Sequence, residues 1–470
     1  METTVQEILS KPFTEILAYA TDVTQFVIPY ETIANQYEIS GHKVFNTTLR
    51  PKKDIIEDTG LLDTNGNKVE RPAQVEVCRI GYPAQWLIVE RAVGFLLGYP
   101  VKLKPVEYGE EKGKETRKSL FEEIQKIWRS QKLDYMNRSI ARILFSEREI
   151  AEIWYFIKDA ENKPKLKVKL AYNSNKDLLY PKFDEYGDLE MFSRKYSIER
   201  NNVTTEHFDI YTATRIQFWE RTTGEWAKTE DVPNDFKKIP VIYYRQPKAE
   251  WELVQSAIER YEDSVSNHGD TNDYTGSPIT VVSGEIRGWS KKGERGKVLE
   301  LEDGASVSYL TANGAPESIK IERDHVKEII FSGSQTPDIS FGELKNLGGV
   351  VSGTALENMY LDARMKAKTK EEIFGEMFVR RCNVIKAGIC NVLNVKLKSE
   401  ENNLEVDVEF TPFVPKNLQE EVATISTAKT GGFLSQETAV RRLAMVEDID
   451  EELKRLKEET VQDEPDEKKA

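Results

Sequence analysis

The sequence predicts an α+β chain assembled from several parts, and three observations lead there. Its 470 residues exceed one simple core, at roughly 100 to 200 residues per domain. Apolar residues recur at helical steps in some stretches and alternate in others, with a strand-rich block between 150 and 245 set among helical segments. A smaller strand-rich insert at 277–316 separates two further helical stretches, which marks a part built apart from the main body.

Residues 5–20 read as a short amphipathic start. Polar sequence follows, in which Asp63-Thr64-Asn65-Gly66-Asn67 reads as a hairpin loop. In Ala84–Leu97, Leu87, Ala92, Phe95 and Leu96 share one helical side, and Gly98 with Pro100 stops the helix. Residues 117–147 form a second helical stretch, with Leu120, Ile124 and Trp128 at steps of four. Strands are expected at 151–157, 166–170, 189–196, 208–212 and 215–220, and 239–244 closes the block. Trp251, Val254, Ile258, Tyr261 and Val265 then give the apolar stripe of a helix starting near Ala249, whose end is left open by the polar 266–276 stretch. The insert carries strands at 279–283, 297–301 and 306–310, the last two joined by a Glu302-Asp303-Gly304-Ala305 turn. Helix returns over 317–332 on Ile319, Val326, Ile329 and Ile330. The glycine-containing stretch 337–353 lacks either period, and a loop that long inside a domain points to function or mobility. The longest helix is expected over 354–391, with Phe374, Phe378, Cys382, Ile385 and Ile389 as its apolar stripe. Gly375 costs about 1 kcal/mol relative to Ala in a helix interior, so a bend or hinge is expected there, although packing alone explains the stripe. A strand at 404–410, a breaker at 412–415 and a helix capped by Ser435 precede an acidic tail, 463–470, expected to be disordered.

The formal charge is −14. Proteins that grip nucleic acid by counterion release carry a basic excess, so tight DNA binding over a broad surface is disfavoured. No run approaches the ~20 apolar residues of a bilayer crossing, and residues 1–10 lack the basic start and apolar run of a secretory signal, so no membrane and no export are expected. Cys78, Cys382 and Cys390 give neither a disulfide framework nor a CxxC pair, and the last two read as packing residues. The four histidines are scattered singly and read as exposed or strand-filling. There is no GxxxxGK[ST] loop to cradle phosphates; in the nearest run, Gly288-Trp289-Ser290-Lys291-Lys292-Gly293-Glu294, Glu294 stands where the lysine must be. GxGxxG and GxSxG are also missing. No catalytic residue, metal ligand or cofactor is assigned, and an enzyme is the weaker reading.

Four segments in order carry a family resemblance. They are Gly94-Phe95-Leu96-Leu97-Gly98-Tyr99-Pro100-Val101, Lys238-Ile239-Pro240-Val241-Ile242-Tyr243-Tyr244, Thr336-Pro337-Asp338-Ile339-Ser340 continuing to Gly348-Gly349-Val350-Val351-Ser352-Gly353-Thr354-Ala355-Leu356, and Leu434-Ser435-Gln436-Glu437-Thr438-Ala439-Val440-Arg441-Arg442-Leu443. Over roughly residues 20–460 this order resembles tailed-bacteriophage portal proteins, in particular those of phages with long non-contractile tails. The resemblance implies a portal fold with wing (1–248), stem helix (249–276), clip (277–316), second stem helix (317–336), tunnel loop (337–353), kinked long helix and wing strand (354–412), crown (413–462) and tail (463–470). It implies a ring of twelve copies at one capsid vertex of the virion, assembled in the bacterial host cytoplasm. Double-stranded DNA would pass through its channel, driven by a separate terminase whose large subunit it docks, and later leave by the same route. Head-completion or adaptor proteins, scaffolding protein and major capsid protein are the further partners implied. The alternative is a nuclease or motor subunit of the same packaging machine.

On the channel reading the acidic balance has a use, since an acidic wall pushes DNA toward the axis. In the loop, Phe341, Gly342, Lys345, Asn346, Gly348, Gly349, Val350, Val351 and Gly353 are the channel candidates. Lys345 and Asn346 can meet phosphates while the glycines let the backbone rearrange. Whether Lys345 or the Val350-Val351 pair lies innermost is open, as is a purely connecting role. In the insert, Arg287, Lys291, Lys292, Arg295 and Lys297 outnumber Glu285 and Glu294. With Trp289 they form the candidate partner surface, because aromatic and Arg anchors dominate interface energies; solvated hairpin charge is the plainer account.

Overall fold

The computed structural model describes residues 5–24, 26–62, 68–275, 279–284, 286–288, 300–301, 306–310, 316–338, 359–411, 418–443 and 449–462. The chain divides into two units, Met1–Thr336 with Lys366–Pro412 and Pro337–Met365 with Phe413–Ala470.

In the first unit, alternation along one strand explains the layering. Glu149–Lys158 is the middle of a three-stranded antiparallel sheet, with Val241–Arg245 on one side and Pro164–Ala171 on the other. Successive side chains of a strand point to opposite faces. Ile150 and Trp154 enter the main core with the helices Ala84–Leu97, Lys114–Ser130 and Leu133–Glu147. Ala151 and Ile153 enter another, against Phe192 and Tyr211. Those two aromatics belong to a five-stranded antiparallel meander, Leu178–Phe183, Leu189–Arg200, Val203–Tyr211, Arg215–Arg221 and Ala227–Pro233. Its other face, with Met191, Phe208, Ile210 and Trp219, is covered by Val5, Ile8, Leu9, Phe13 and Ile16 from the helices Val5–Leu9 and Phe13–Thr21. The amphipathic start is thus the lid of the meander.

Leu361–Gly388 is the longest helix among the described residues, and its expected stripe is buried: Phe374, Phe378, Cys382, Ile385 and Ile389 all lie in the main core. Its described start is Leu361, with Tyr360 in a turn; the expected segment 354–358 lies outside the described residues. The α-helix runs on through Gly375, and the departure from α geometry comes at Ile389–Leu393, a π-helical turn. Arg381 sits in the middle of the apolar stripe at zero exposure. Its Nε donates to Glu152 Oε2 at 2.9 Å, Nη1 to Asn137 Oδ1 at 2.7 Å and Nη2 to the Tyr244 hydroxyl at 3.0 Å, while Tyr244 donates to Glu152. The guanidinium also lies over the Phe378 ring at 4.4 Å. Long helix, two strands of the sheet and the Leu133–Glu147 helix therefore meet at one ion pair.

Several expectations are refined. The 117–147 stretch is two helices, broken at Lys132, which takes a left-handed φ of 54°. Two strands of the meander went unforeseen, Leu178–Phe183 and Ala227–Pro233, its outer strands, one containing Pro181 and the other mostly polar and exposed; so did Lys102–Glu107, which pairs with Leu404–Glu409. In the insert, Ser306–Leu310 does not pair with its neighbour in sequence. It pairs with Ile279–Ser283, and Ile286–Gly288 pairs with Glu300–Leu301, so one two-stranded ladder follows the other instead of a 297–310 hairpin forming. Lys297 lies outside the described residues.

The second unit contains the helices Leu418–Thr430, Gln436–Leu443 and Ile449–Gln462. Ser435 caps the middle one as expected, its Oγ accepting from the Thr438 amide at 3.2 Å. The tail 463–470 lies outside the described residues.

Removing one partner of a fully buried ion pair leaves an uncompensated charge. Glu152→Gln is therefore expected to cost about 3–5 kcal/mol in urea-induced unfolding, whereas substitution of the exposed pair Lys163 and Glu161 should change stability by less than about 1 kcal/mol.

Candidate functional site: a helical hairpin and its footing

The helix Gln255–Thr275 and the helix Pro316–Gly333 pack side by side, with the strand-rich insert between them in sequence. The first does not stop at the polar stretch; it continues to Thr275. Its start is later than the expected Ala249, because Glu252–Val254 forms a separate 3-10 turn; Trp251 and Val254 are buried at that turn and Ile258 on the helix itself.

Its other face explains the continuation. Glu262, Ser266 and Asp270 stand four residues apart, about 6 Å along a helix. The extended segment that follows the first β-hairpin, Lys53–Leu62 with Lys68–Val75, runs against them in the opposite direction. Every second backbone amide there donates to one of these side chains: Cys78 to Asp270 Oδ1 at 2.7 Å, Ile80 to Ser266 Oγ at 2.9 Å and Tyr82 to Glu262 Oε1 at 2.7 Å. Two residues of extended chain rise about 6.6 Å, so the strand period and the helical step match. Close approach is made possible by Gly269, where an added Cβ would meet Cys78 Sγ at 2.5 Å.

Charged side chains finish the footing. Arg50 donates through Nη2 to Asp270 at 2.7 Å, through Nη1 to Asn267 at 2.8 Å and through Nε to the Cys78 carbonyl at 2.9 Å. Lys43 reaches Glu259 at 2.8 Å. His42 Nδ1 lies 2.6 Å from Glu262 Oε1, both side chains being about 2% exposed. A carboxylate only accepts, so Nδ1 carries the hydrogen. The pair has the spacing of a catalytic dyad, but its burial leaves no path for a substrate and no nucleophile touches it in the described structure. Burial raises the Asp270 carboxyl, yet the Cys78 amide and the Lys53 and Arg50 cations outweigh it and hold the pKa below its ordinary value.

None of the sequence-predicted channel residues, Phe341, Gly342, Lys345, Asn346, Gly348, Gly349, Val350, Val351 and Gly353, lies within the described residues, and the same is true of Trp289, Lys291, Lys292, Arg295 and Lys297. Arg287 is in the strand Ile286–Gly288. Gly375 lies in the long helix, where an added Cβ would meet only Phe410 Cε2, at 3.9 Å. The footing residues were missed in the sequence, where the apolar stripe drew attention; the signal was the acceptor series Glu259, Glu262, Ser266 and Asp270 on the same helix.

Two of the three cysteines are buried thiols. Burial pushes the Cys382 thiol up to about 12 and the Cys390 thiol up to about 11, away from reactive thiolate. Among the described residues no group of His, Cys, Asp and Glu could hold a metal ion, and no helix is long and apolar enough to cross a membrane.

A family model described as phage portal protein, SPP1 Gp6-like, matches residues 19–466. The portal protein of Bacillus phage SPP1 is similar at 22% identity over 417 residues, 79% of this chain and 74% of that protein. Two solved gene transfer agent structures, the neck of an empty particle computed with C6 symmetry and the virion of the native particle, are each 9% identical over 78% of this chain and 91% of theirs, with TM-scores of 0.41 and 0.42. Likeness that loose carries no argument.

Two measurements check the footing. Ser266→Ala leaves the Ile80 amide unpaired and is expected to cost about 1–3 kcal/mol, read by chemical unfolding. Because the folded-state pKa of Asp270 is lowered, its contribution is present above the ordinary carboxylate range and is lost as pH falls through the folded value. Amide exchange at Cys78 should therefore accelerate on acidification below that range once the intrinsic pH dependence is divided out, and should lose this acid-induced step in Asp270→Asn.

Proposed function

Since the chain belongs to the SPP1 Gp6-like family of phage portal proteins, we propose that twelve copies close into a ring at one capsid vertex of the virion, and that double-stranded DNA enters and leaves the capsid through the ring's channel. The observation that carries the reading is the family match, which spans almost the whole chain. In this reading the first unit supplies the wing and the helical hairpin is the stem. The insert at 277–316 is the clip, and 337–353 is the tunnel loop. The helices Leu418–Thr430, Gln436–Leu443 and Ile449–Gln462 belong to the crown.

The chemistry is that of a conduit. With a formal charge of −14 per copy, a ring repels DNA from its wall within the ~8 Å over which charges act at physiological salt. Lys345 and Asn346 of each copy then make a few sequence-independent phosphate contacts. The energy for translocation comes from a separate terminase ATPase, whose large subunit docks on Arg287, Trp289, Lys291, Lys292, Arg295 and Lys297. The same surface later receives the head-completion or adaptor protein, and the body contacts scaffolding and major capsid proteins during assembly in the host. The role is structural, and no cofactor enters it.

Native mass spectrometry of the purified chain is expected to give a closed oligomer of twelve, and images a central hole wide enough for a duplex. A persistent monomer, or DNA cleavage or ATP hydrolysis abolished by a point substitution, would instead favour a nuclease or motor subunit. Lys345→Ala with Asn346→Ala should leave ring mass unchanged and lower the DNA content of assembled particles. Gly375→Ala fits the available space and is expected to raise stability by about 0.5–1 kcal/mol. If Gly375 is a hinge, that variant packages DNA more slowly; normal packaging together with a straight helix rejects the hinge.

A further inference from the structure

The chain leaves the first unit after Thr336 and rejoins it at Lys366, whose side chain reaches both a buried carboxylate and the backbone just before the exit. Glu250, 3% exposed at the side chain, lies between two ammoniums, Lys366 at 2.7 Å from Oε2 and Lys370 at 2.5 Å from Oε1. Lys370 also donates to Gln246 Oε1 at 3.0 Å and lies over the Phe145 ring at 5.3 Å. One carboxylate needs one cation, so this cluster holds a buried positive charge more than neutrality requires. Burial is the dominant influence on Lys366 and lowers its pKa despite Glu250.

A costly surplus charge calls for another contact that uses it. Lys366 Nζ donates to the Ser334 carbonyl at 2.9 Å, in buried surroundings. Ser334 ends the Pro316–Gly333 helix. There the Gln335 amide bonds the Ser332 carbonyl and the Thr336 amide bonds the Phe331 carbonyl, with Gln335 in the left-handed region at φ 51°. This is a Schellman ending without its usual glycine. The Ser334 carbonyl receives the Thr336 hydroxyl at 3.2 Å, and Lys366 supplies the charged donor that a helix C-terminus favours.

We propose that Lys366 is a positioning residue: its ammonium ties the end of the Pro316–Gly333 helix to the returning long helix and fixes the separation of the two points between which residues 337–365 are strung. The tie itself stands on the contacts above; its bearing on DNA passage rests on the channel reading.

Charge arithmetic supplies the test. Lys366→Met leaves Glu250 paired with Lys370 and so strands no charge, while deleting the tie. Lys366→Gln matches Met in length and restores a donor, one bond shorter than that of lysine, without the surplus charge. In rings of the full-length protein, Lys366→Met is expected to speed amide exchange at Gln335 and Thr336 by about tenfold, the size of a lost hydrogen bond to a charged group, and to lower DNA content per particle. Lys366→Gln should stay close to the parent in both readouts. Parent-like exchange in Lys366→Met, or equal acceleration in both variants, overturns the proposal. Should Lys366→Met fail to form rings, ring yield replaces exchange as the readout: recovery in Lys366→Gln supports the tie and equal failure overturns it. If the parent rings package no DNA, the channel reading falls while the exchange comparison still decides the tie.

Discussion

A guanidinium with no access to water persists only where carboxylate and hydrogen-bond acceptors already surround it, and Arg381 imposes that condition on the whole first unit. Glu152 must be aimed inward from a strand that is otherwise uncharged between Ile150 and Ile157, which requires the sheet in register. Tyr244 must come from the neighbouring strand and Asn137 from a helix, so three separately folded elements are oriented by one side chain. Apolar packing against Phe374 and Phe378 supplies the driving force, but hydrophobic contact is non-directional. The ion pair gives the long helix its rotational setting.

Polar groups of the hairpin helix play a comparable part at the surface of that unit. Its apolar side is anchored by Trp251 and Ile258, and its acceptor side is read by the backbone of residues 78–82. A belt of extended chain and a helix rarely satisfy one another, since the first offers hydrogen-bond donors and the backbone carbonyls of the second are already engaged within the helix. Here the helix answers with side chains. The unusual polarity of the 266–276 stretch, which left the helix end open in sequence, is what makes the docking work.

How much of this was legible depended on local punctuation. Ala84–Leu97 was found to the residue because Gly98 and Pro100 mark its end. The break at Lys132 was not, since a lysine adopted the left-handed conformation that glycine would have signalled. Alternation revealed the inner strands of the meander, whereas Ala227–Pro233 shows almost none because it lies exposed at an edge. Strand pairing in the insert was assigned to neighbours in sequence, and the paired strands proved more distant. His42 and Glu262 are separated by 220 residues, and nothing in either local sequence announces the other. The resemblance was legible because short motifs survive in order along the chain, and the family match over residues 19–466 agrees with it.

The matched spacing of amides 78, 80 and 82 with side chains 270, 266 and 262 has a mechanical meaning. Force applied along the axis of that helix stretches all three bonds together, as in a lap joint under shear, whereas force that lifts one end peels them singly. A load sliding along that helix therefore meets the three bonds at once, the direction in which the joint is strongest.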